Sequence, residues 1–251
     1  MIFKRKVYDK LIEWKTLAAG TSAVLLEGAR RIGKSTIVEE FAKKEYDDYM
    51  ILDFARENQD VKNNFVENMN DLDTFFRNLF LLKGKSLKGK NCVIIFDEVQ
   101  LFPQARQAIK YLVADGRYEY IETGSLISIR KNVKDILIPS EEYRIKMYPM
   151  DFEEFMIANN VSKTTLEMLK AKFETCQPVD EFIHQKLLSL FFIYLIVGGM
   201  PDAVKIYIAT KDIREVDKVQ RDIVALYKED FSQYAVSYTH LRAHETLMNL
   251  V

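Results

Sequence analysis

The feature that most constrains the fold is a glycine-containing turn between an apolar run and a helical segment. Residues 23–26 (Ala-Val-Leu-Leu) have the composition of a buried strand, and residues 36–42 have helical spacing. Between them, residues 28–35 (Gly-Ala-Arg-Arg-Ile-Gly-Lys-Ser) fit the pattern G-x-x-x-x-G-K-[ST]. A strand that feeds such a turn into a helix directs backbone N–H groups and the positive end of the helix dipole at one point. The sequence therefore predicts a polyphosphate site.

The residues of this turn have separate expected roles. Gly28 and Gly33 let the backbone approach phosphate oxygens without a Cβ in the way. Lys34 is expected to reach the β- and γ-phosphates, and Ser35 to offer its hydroxyl to Mg²⁺. The predicted cofactor-binding residues are Gly28, Ala29, Arg30, Arg31, Ile32, Gly33, Lys34, Ser35 and Thr36.

A second apolar run, residues 92–96 (Cys-Val-Ile-Ile-Phe), ends in two acidic residues. Uninterrupted apolar runs of this length are typical of strands buried on both faces of a parallel sheet. Asp97 and Glu98 would then lie at the carboxyl end of the strand, where open α/β sheets bind ligands. We expect Asp97 to bind Mg²⁺ with Ser35, and Glu98 to polarise a water for attack on the γ-phosphate.

A third strand-like run, residues 118–122, is followed by Thr123-Gly124-Ser125. A hydroxyl from Thr123 or Ser125 at this position would hydrogen-bond the γ-phosphate or the attacking water, which makes both residues candidates for the catalytic set. The alternative is that Thr123 or Ser125 only caps a strand-to-helix turn. The sequence leaves both interpretations open.

The order of the segments predicts an α/β fold of the P-loop type. Strands are expected at residues 23–26, 49–54, 92–96, 118–122 and 143–148, with helices at 7–14, 71–82 and 103–114 among them. Strands separated by helices imply right-handed βαβ units and a five-stranded, mostly parallel sheet. From residue 150 the pattern becomes helical, at residues 151–158, 165–175, 179–197 and 213–231, with a break at 198–201. We therefore predict an ATPase-type domain over residues 1–149 and a smaller helical unit over 150–235.

Composition excludes several functional classes. The chain of 251 residues has a formal net charge of −1, so no overall field attracts nucleic acid or an acidic membrane. The longest apolar stretch, residues 190–197, is too short to span a bilayer, and the N-terminus lacks the apolar run of a secretion signal. The two cysteines, Cys92 and Cys176, have no metal-type spacing. We expect a cytoplasmic protein that does not bind membranes.

Five segments together resemble a known family: GARRIGKS, VIIFDEVQ, IETGSL, YPMDFEEF and GGMPDAV. They are similar to the prokaryotic AAA-type ATP-binding proteins, in which an AAA ATPase domain precedes a C-terminal domain of unknown function. The resemblance covers residues 7–234. It implies an AAA+ core with ATP and Mg²⁺ as cofactors, held by Lys34, Ser35 and Asp97, with Glu98 as the catalytic glutamate and Thr123 or Ser125 as the sensor.

These observations predict an ATPase that hydrolyses ATP with Mg²⁺ and couples turnover to a shift between its two units. The alternative is an ATP-gated module that binds a protein or DNA partner with little turnover. The sequence does not identify that partner. No Asn-Lys-x-Asp motif is present, which argues against a GTPase.

The resemblance also bears on assembly, because AAA+ enzymes usually take an arginine from a neighbouring subunit. A homo-oligomer is therefore one expectation, with Arg117, Arg130 and Arg144 as candidate arginines that the sequence does not rank. Arg30 and Arg31, within the loop, are equally compatible with phosphate contact and with exposure to water.

The end of the chain departs from the family. Residues 236–246 (Val-Ser-Tyr-Thr-His-Leu-Arg-Ala-His-Glu-Thr) resemble one reading frame of a transposase adapter used in short-read DNA sequencing. We expect residues 236–251 to be a non-native tail that replaces the rest of the C-terminal domain. The alternative is a genuine helix whose His240 and His244 form a His-x-x-x-His metal-binding pair.

Overall fold

The computed structural model of the protein describes residues 2–125 and 141–235. The chain divides into two compact units, the first ending at Asn160 and the second beginning at Val161. The expected tail, its two histidines and the candidate Arg130 lie outside the described residues. The domain limits proposed from the sequence, 1–149, 150–235 and 236–251, stay predictions.

The first unit is built around a five-stranded sheet with the order β2-β3-β4-β1-β5. All neighbouring strands pair in parallel, which confirms the predicted α/β fold with a parallel sheet. The central strand β4 lies between β3 and β1, so the carboxyl ends of these three strands meet at one edge. The strands are β1 (Ala23–Gly28), β2 (Asp48–Asp53), β3 (Cys92–Asp97), β4 (Glu119–Ser125) and β5 (Glu142–Lys146).

Six helices accompany the sheet in the described part of this unit: α1 (Val7–Leu17), α2 (Lys34–Glu45), α3 (Gln59–Glu67), α4 (Leu72–Lys83), α5 (Pro103–Asp115) and α6 (Phe152–Ala158). A 3₁₀ turn, Val99–Leu101, separates β3 from α5. Helix α3 is not among the helices predicted from the sequence. Its N-terminus is fixed by Asn58, whose side-chain oxygen accepts a hydrogen bond from the Val61 amide at 2.9 Å.

An aromatic cluster on one face of the sheet supports the end of β3. The rings of Phe54, Phe65 and Phe96 contact one another edge to face, with centroid separations of 5.6–5.8 Å. Helices α3, α4 and α5 contribute further buried residues to the same core. Because Phe96 immediately precedes Asp97, this packing holds the acidic strand end in a fixed position.

The second unit is helical in its described part. It comprises α7 (Lys163–Glu174), α8 (Glu181–Val197), α9 (Pro201–Thr210) and α10 (Ile213–Ala235). The sequence pattern predicts only a break at residues 198–201 and does not predict α9. Pro201 occupies the first turn of α9, where its missing N–H has no intrahelical partner to lose.

Gln220 joins two helices of this unit. Its Nε2 donates to the Ile196 and Val197 carbonyl oxygens, at 2.8 and 3.0 Å. These are end carbonyls of α8 that lack intrahelical partners, so a residue of α10 satisfies them. Of the helices that the structure describes, none combines the length and apolar character needed to cross a membrane.

Candidate functional site

The loop of residues 28–35 joins the end of β1 to the start of α2. Gly33 stands immediately before α2 with φ of 91°, in the left-handed region that glycine accepts readily. A Cβ on Gly28 would lie 2.4 Å from the Met147 carbonyl oxygen, so the backbone passes there too closely for any side chain. Both glycines of the motif therefore have a steric reason to be glycine.

Lys34 is folded back onto this loop. Its side chain is buried, and Nζ donates to the carbonyl oxygens of Gly28 at 3.1 Å and Ala29 at 2.8 Å. Burial lowers the pKa of Lys34, while the nearby carboxylates of Glu98 and Asp97 oppose that effect. The ammonium group is thus held inside the turn, facing the acidic end of β3.

One carboxylate oxygen of Asp97, at the end of β3, accepts hydrogen bonds from side chains of two other elements. The Ser35 hydroxyl, at the start of α2, donates to Asp97 Oδ1 at 2.8 Å, although the two residues are 62 positions apart. The Thr123 hydroxyl donates to the same oxygen. Thr123 lies inside β4, which runs on to Ser125, rather than in a turn after the strand. The expected strand end at residue 122 was therefore too early.

Glu98 has an unusual backbone conformation and forms hydrogen bonds with Thr123 and Gln100. Its φ of 54° and ψ of 44° place it in the left-handed region, which glutamate seldom adopts. Its backbone N–H donates to Thr123 Oγ1 at 3.3 Å, and its carboxylate accepts a hydrogen bond from Gln100 Nε2. Gln100 is buried and also accepts a hydrogen bond from the Ser125 amide at 3.4 Å. Gln100 is not among the site residues predicted from the sequence, where only its position two residues after Glu98 points to it.

The arginines have differing environments. Arg31 is exposed with φ of 60°, and the charge of Arg30 contributes to the lowered pKa of Lys34, after burial. Arg117 forms ion pairs with Asp115 and Asp73. Arg144 Nε lies 3.1 Å from a carboxylate oxygen of Glu142.

The other predicted cofactor-binding residues of the loop differ in exposure. Ile32 is fully buried, whereas Ala29, Ser35 and Thr36 are exposed.

Arg5, which is also absent from the predicted site residues, connects the loop to distant segments. The buried guanidinium of Arg5 donates to the Ile32 carbonyl at 2.9 Å and to the Tyr148 carbonyl at 2.6 Å. Its Nε donates to Glu154 Oε2 at 3.1 Å, and both side chains are only 6% exposed. The middle of the loop is therefore fixed from outside by a buried ion pair.

The sequence of the first unit defines its class. A family model described as an AAA domain matches residues 20–156, which is more than half of the chain. The chain belongs to this AAA-domain family. A second model, described as a domain of unknown function (DUF8612), matches residues 188–251 and so includes the segment expected to be a non-native tail. A search of curated proteins found no match.

The solved structures to which this chain is similar have low sequence identity to it. AMPPCP-bound DnaA from Aquifex aeolicus is 9% identical with a TM-score of 0.44, covering 94% of this chain and 69% of its own. Hsp104 with ATPγS and FITC-casein is 18% identical with a TM-score of 0.45, covering 81% and 36%. PCH-2 from C. elegans is 14% identical with a TM-score of 0.39, covering 88% and 65%. This chain thus spans about a third of the Hsp104 chain.

Proposed function

We propose that this protein is an Mg²⁺-dependent ATPase that binds ATP between the loop of residues 28–35 and the carboxyl end of β3. The observation that carries the proposal is the 2.8 Å hydrogen bond between Ser35 and Asp97. It joins the loop to the acidic strand end, with Lys34 buried beside them. Membership of the AAA-domain family supports the same nucleotide class.

The residues at this point suit a magnesium ion. Mg²⁺ prefers oxygen ligands and is usually held by one or two carboxylates together with substrate phosphates and water. Ser35 offers a hydroxyl oxygen and Asp97 a carboxylate, and the two are already in contact. When bound, the ion neutralises charge on the β- and γ-phosphates. Lys34 would exchange its two carbonyl partners for phosphate oxygens, which satisfy an ammonium group better.

Glu98 is the proposed base that orients the attacking water. Its backbone is held by Thr123, and Thr123 also contacts Asp97, so the base, the metal ligand and the proposed sensor form one connected group. A base contributes to catalysis only when its carboxylate has a fixed position relative to the water. The amide of Ser125, at the end of β4, enters the group through Gln100.

We propose that the adenine base of ATP binds in a cavity beside the loop. It lies between the N-terminal segment and α2, has a volume of about 400 Å³, and is lined by residues that include Arg5, Tyr8, Ile37 and Lys44. That volume falls in the range of small-molecule sites. Because Arg5 also contacts the Ile32 carbonyl, the cavity adjoins the phosphate loop.

The ATP-gated binding module remains the second candidate, with an unidentified protein or DNA partner. The contacts of Glu98 favour hydrolysis, since a module without turnover needs no oriented carboxylate. Subunit assembly with a shared arginine and a cytoplasmic setting belong to the same proposal. The unpaired thiols of Cys92 and Cys176 suit a reducing compartment.

The test is a comparison of the purified protein with the variant Glu98→Gln, in ATP binding and in steady-state phosphate release. Loss of the base should slow turnover by about a hundredfold or more while leaving the Kd for MgATP within about threefold. Glu13→Gln, at an exposed position of α1, is the matched control and should match the wild type.

The adenine cavity is tested in the same ATP titration with the variant Tyr8→Ala. Loss of the Tyr8 ring enlarges the cavity, so ATP binding should weaken severalfold.

Two results would contradict the proposal. Turnover of Glu98→Gln equal to that of the wild type would remove Glu98 from its assigned role. ATP binding without any phosphate release from the wild type would favour the gated module instead.

A further inference from the structure

Gln100 is a buried glutamine whose side-chain amide forms hydrogen bonds through both its oxygen and its nitrogen. It is 5% exposed and lies in the 3₁₀ turn directly after Glu98. On one side its Oε1 accepts the Ser125 backbone N–H at 3.4 Å, and on the other its Nε2 donates to Glu98 Oε2. A backbone N–H can only donate, so the amide oxygen must face Ser125. The amide NH₂ is then directed at the Glu98 carboxylate.

The backbone N–H and the carboxylate of Glu98 are therefore both connected to β4 by hydrogen bonds. The backbone N–H is bound by the Thr123 hydroxyl, within the strand, and the carboxylate is bound through Gln100 by the amide at the end of the same strand. A glutamate side chain has three rotatable bonds, and an unrestrained carboxylate would sample many positions. Using Oε2 for Gln100 leaves Oε1 to accept a proton from water.

We propose that Gln100 is a positioning residue that fixes the carboxylate of Glu98 for its role as the base. The inference rests on the proposed ATPase function and assigns Gln100 no contact with nucleotide. Hydrogen bonds to charged groups are roughly twice as strong as neutral ones, so the contact is strong enough to select one orientation of the carboxylate.

Only glutamine meets both requirements at this position. Glutamate has the same size but no donor, and it would place a second carboxylate against Glu98. Asparagine has the same groups on a side chain shorter by one methylene and cannot span both partners. Alanine leaves the buried Ser125 amide and the Glu98 carboxylate without this partner.

The experiment measures kcat, KM and Kd for MgATP in the wild type, Gln100→Ala, Gln100→Glu and the control Gln104→Ala. Gln104 is an exposed glutamine in the first turn of α5. Gln100→Ala should lower kcat about tenfold, the value of a lost hydrogen bond to a charged group, and change KM and Kd less than about threefold. Gln100→Glu should lower kcat at least as much, and Gln104→Ala should match the wild type.

The decisive arm places Gln100→Ala in the Glu98→Gln background, measured by single-turnover hydrolysis. A residue that acts only through the Glu98 carboxylate should have less than about a twofold further effect once that carboxylate is gone. A further tenfold loss in this background would show that Gln100 acts by another route and would overturn the inference. If Gln100→Ala does not fold, the isosteric Gln100→Glu carries the same comparison.

The outcomes separate this inference from the function on which it rests. A wild type that turns over ATP alongside equally active Gln100 variants overturns the positioning role alone. A wild type that hydrolyses no ATP overturns both.

Discussion

At the scale of single residues, the candidate site contains a backbone conformation that its amino acid disfavours. Glu98 has φ of 54°, and a non-glycine residue in the left-handed region costs about 1–2 kcal/mol. The surrounding contacts to Thr123 and Gln100 maintain that conformation. Strained backbone of this kind clusters at functional sites, and here it coincides with the proposed base.

Gly28 yields a prediction from its close approach to Met147, the residue directly after β5. Gly28→Ala brings a Cβ to 2.4 Å from the Met147 carbonyl, so the two backbones must separate. We expect a loss of about 3 kcal/mol in the free energy of unfolding, at the upper end of overpacking effects. The displaced loop should also bind ATP more weakly. Urea denaturation and an ATP titration measure both effects.

Gly20→Ala is the control for this variant. Gly20 has φ of 83° and no atom within 4 Å of an added Cβ, so the change introduces backbone strain without a clash. It should cost about 1 kcal/mol and leave ATP affinity unchanged. Equal stability losses in the two variants, or unaltered ATP binding by Gly28→Ala, would contradict the steric argument.

Glu122 yields a prediction about pH. The side chain is fully buried in β4, and burial raises its pKa well above the ordinary value, with a further increase from Glu142. Arg106 and Arg144 act in the opposite direction, and Arg106 is itself paired with Glu142 at 2.5 and 2.8 Å. Glu122 is therefore neutral in the folded protein over a range where it ionises when unfolded.

The sign of the pH dependence follows from this raised pKa. The contribution of Glu122 to stability is fully present below its unfolded pKa, near 4.5, and is lost as pH rises toward the folded value. The difference in unfolding free energy between the wild type and Glu122→Gln should change by up to about 1.4 kcal/mol per pH unit in that window, in favour of the variant. Urea denaturation between pH 5 and pH 8 measures it. A difference that does not vary with pH would show that Glu122 is ionised in the fold.

At the scale of elements, a buried ion pair joins three segments that are distant in sequence. Glu154 accepts hydrogen bonds from Arg5 and from the Asp151 amide, while the Asp151 side chain caps Glu154 in return. This reciprocal arrangement is a capping box at the start of α6. Through Arg5, the same carboxylate is connected to the Ile32 carbonyl in the loop. Arg5 and Glu154 therefore support both the start of α6 and the loop of residues 28–35.

Removing Arg5 should damage both stability and nucleotide binding. Arg5→Met leaves the Glu154 carboxylate buried without its charged partner, which typically costs about 3–5 kcal/mol. ATP affinity should fall as well, because the Ile32 carbonyl loses its donor. Thermal unfolding and ATP titration of the folded variant are the measurements.

Lys6→Met is the matched control, in the neighbouring residue. The Lys6–Asp151 pair is about half exposed, and such pairs contribute less than about 1 kcal/mol. Its loss should leave ATP affinity unchanged. If Arg5→Met proves no more destabilising than Lys6→Met, the buried pair does not support the loop.

The elements predicted from sequence were those with strong patterns. Uninterrupted apolar runs identified the inner strands, and the alternation of strands with helices gave the parallel sheet. The nine-residue helix α3 was missed because it is short and mostly polar, and its start depends on the Asn58 cap. Helix α9 was missed because Pro201, which begins a helix, was interpreted only as a break.

At the scale of the whole molecule, the sequence located the candidate site because parallel strands bring their carboxyl ends together. That rule is enough to expect Ser35 near Asp97, although they are far apart in the chain. The same rule does not predict the roles of Gln100 and Arg5, because their partners include backbone atoms of distant segments. Any residue type can supply a backbone partner, so no sequence pattern marks these contacts.

The central claim is that the AAA domain binds MgATP through the loop of residues 28–35. Its most direct test is calorimetric titration of the folded protein with ATP in the presence of Mg²⁺, comparing the wild type with Lys34→Ala and with Lys43→Ala, an exposed lysine of α2. We expect saturable binding by the wild type and by Lys43→Ala, and binding at least about tenfold weaker in Lys34→Ala, because that variant loses a charge-assisted contact with phosphate. A folded wild type that takes up no ATP, or a Lys34→Ala variant that binds ATP as tightly, would contradict it.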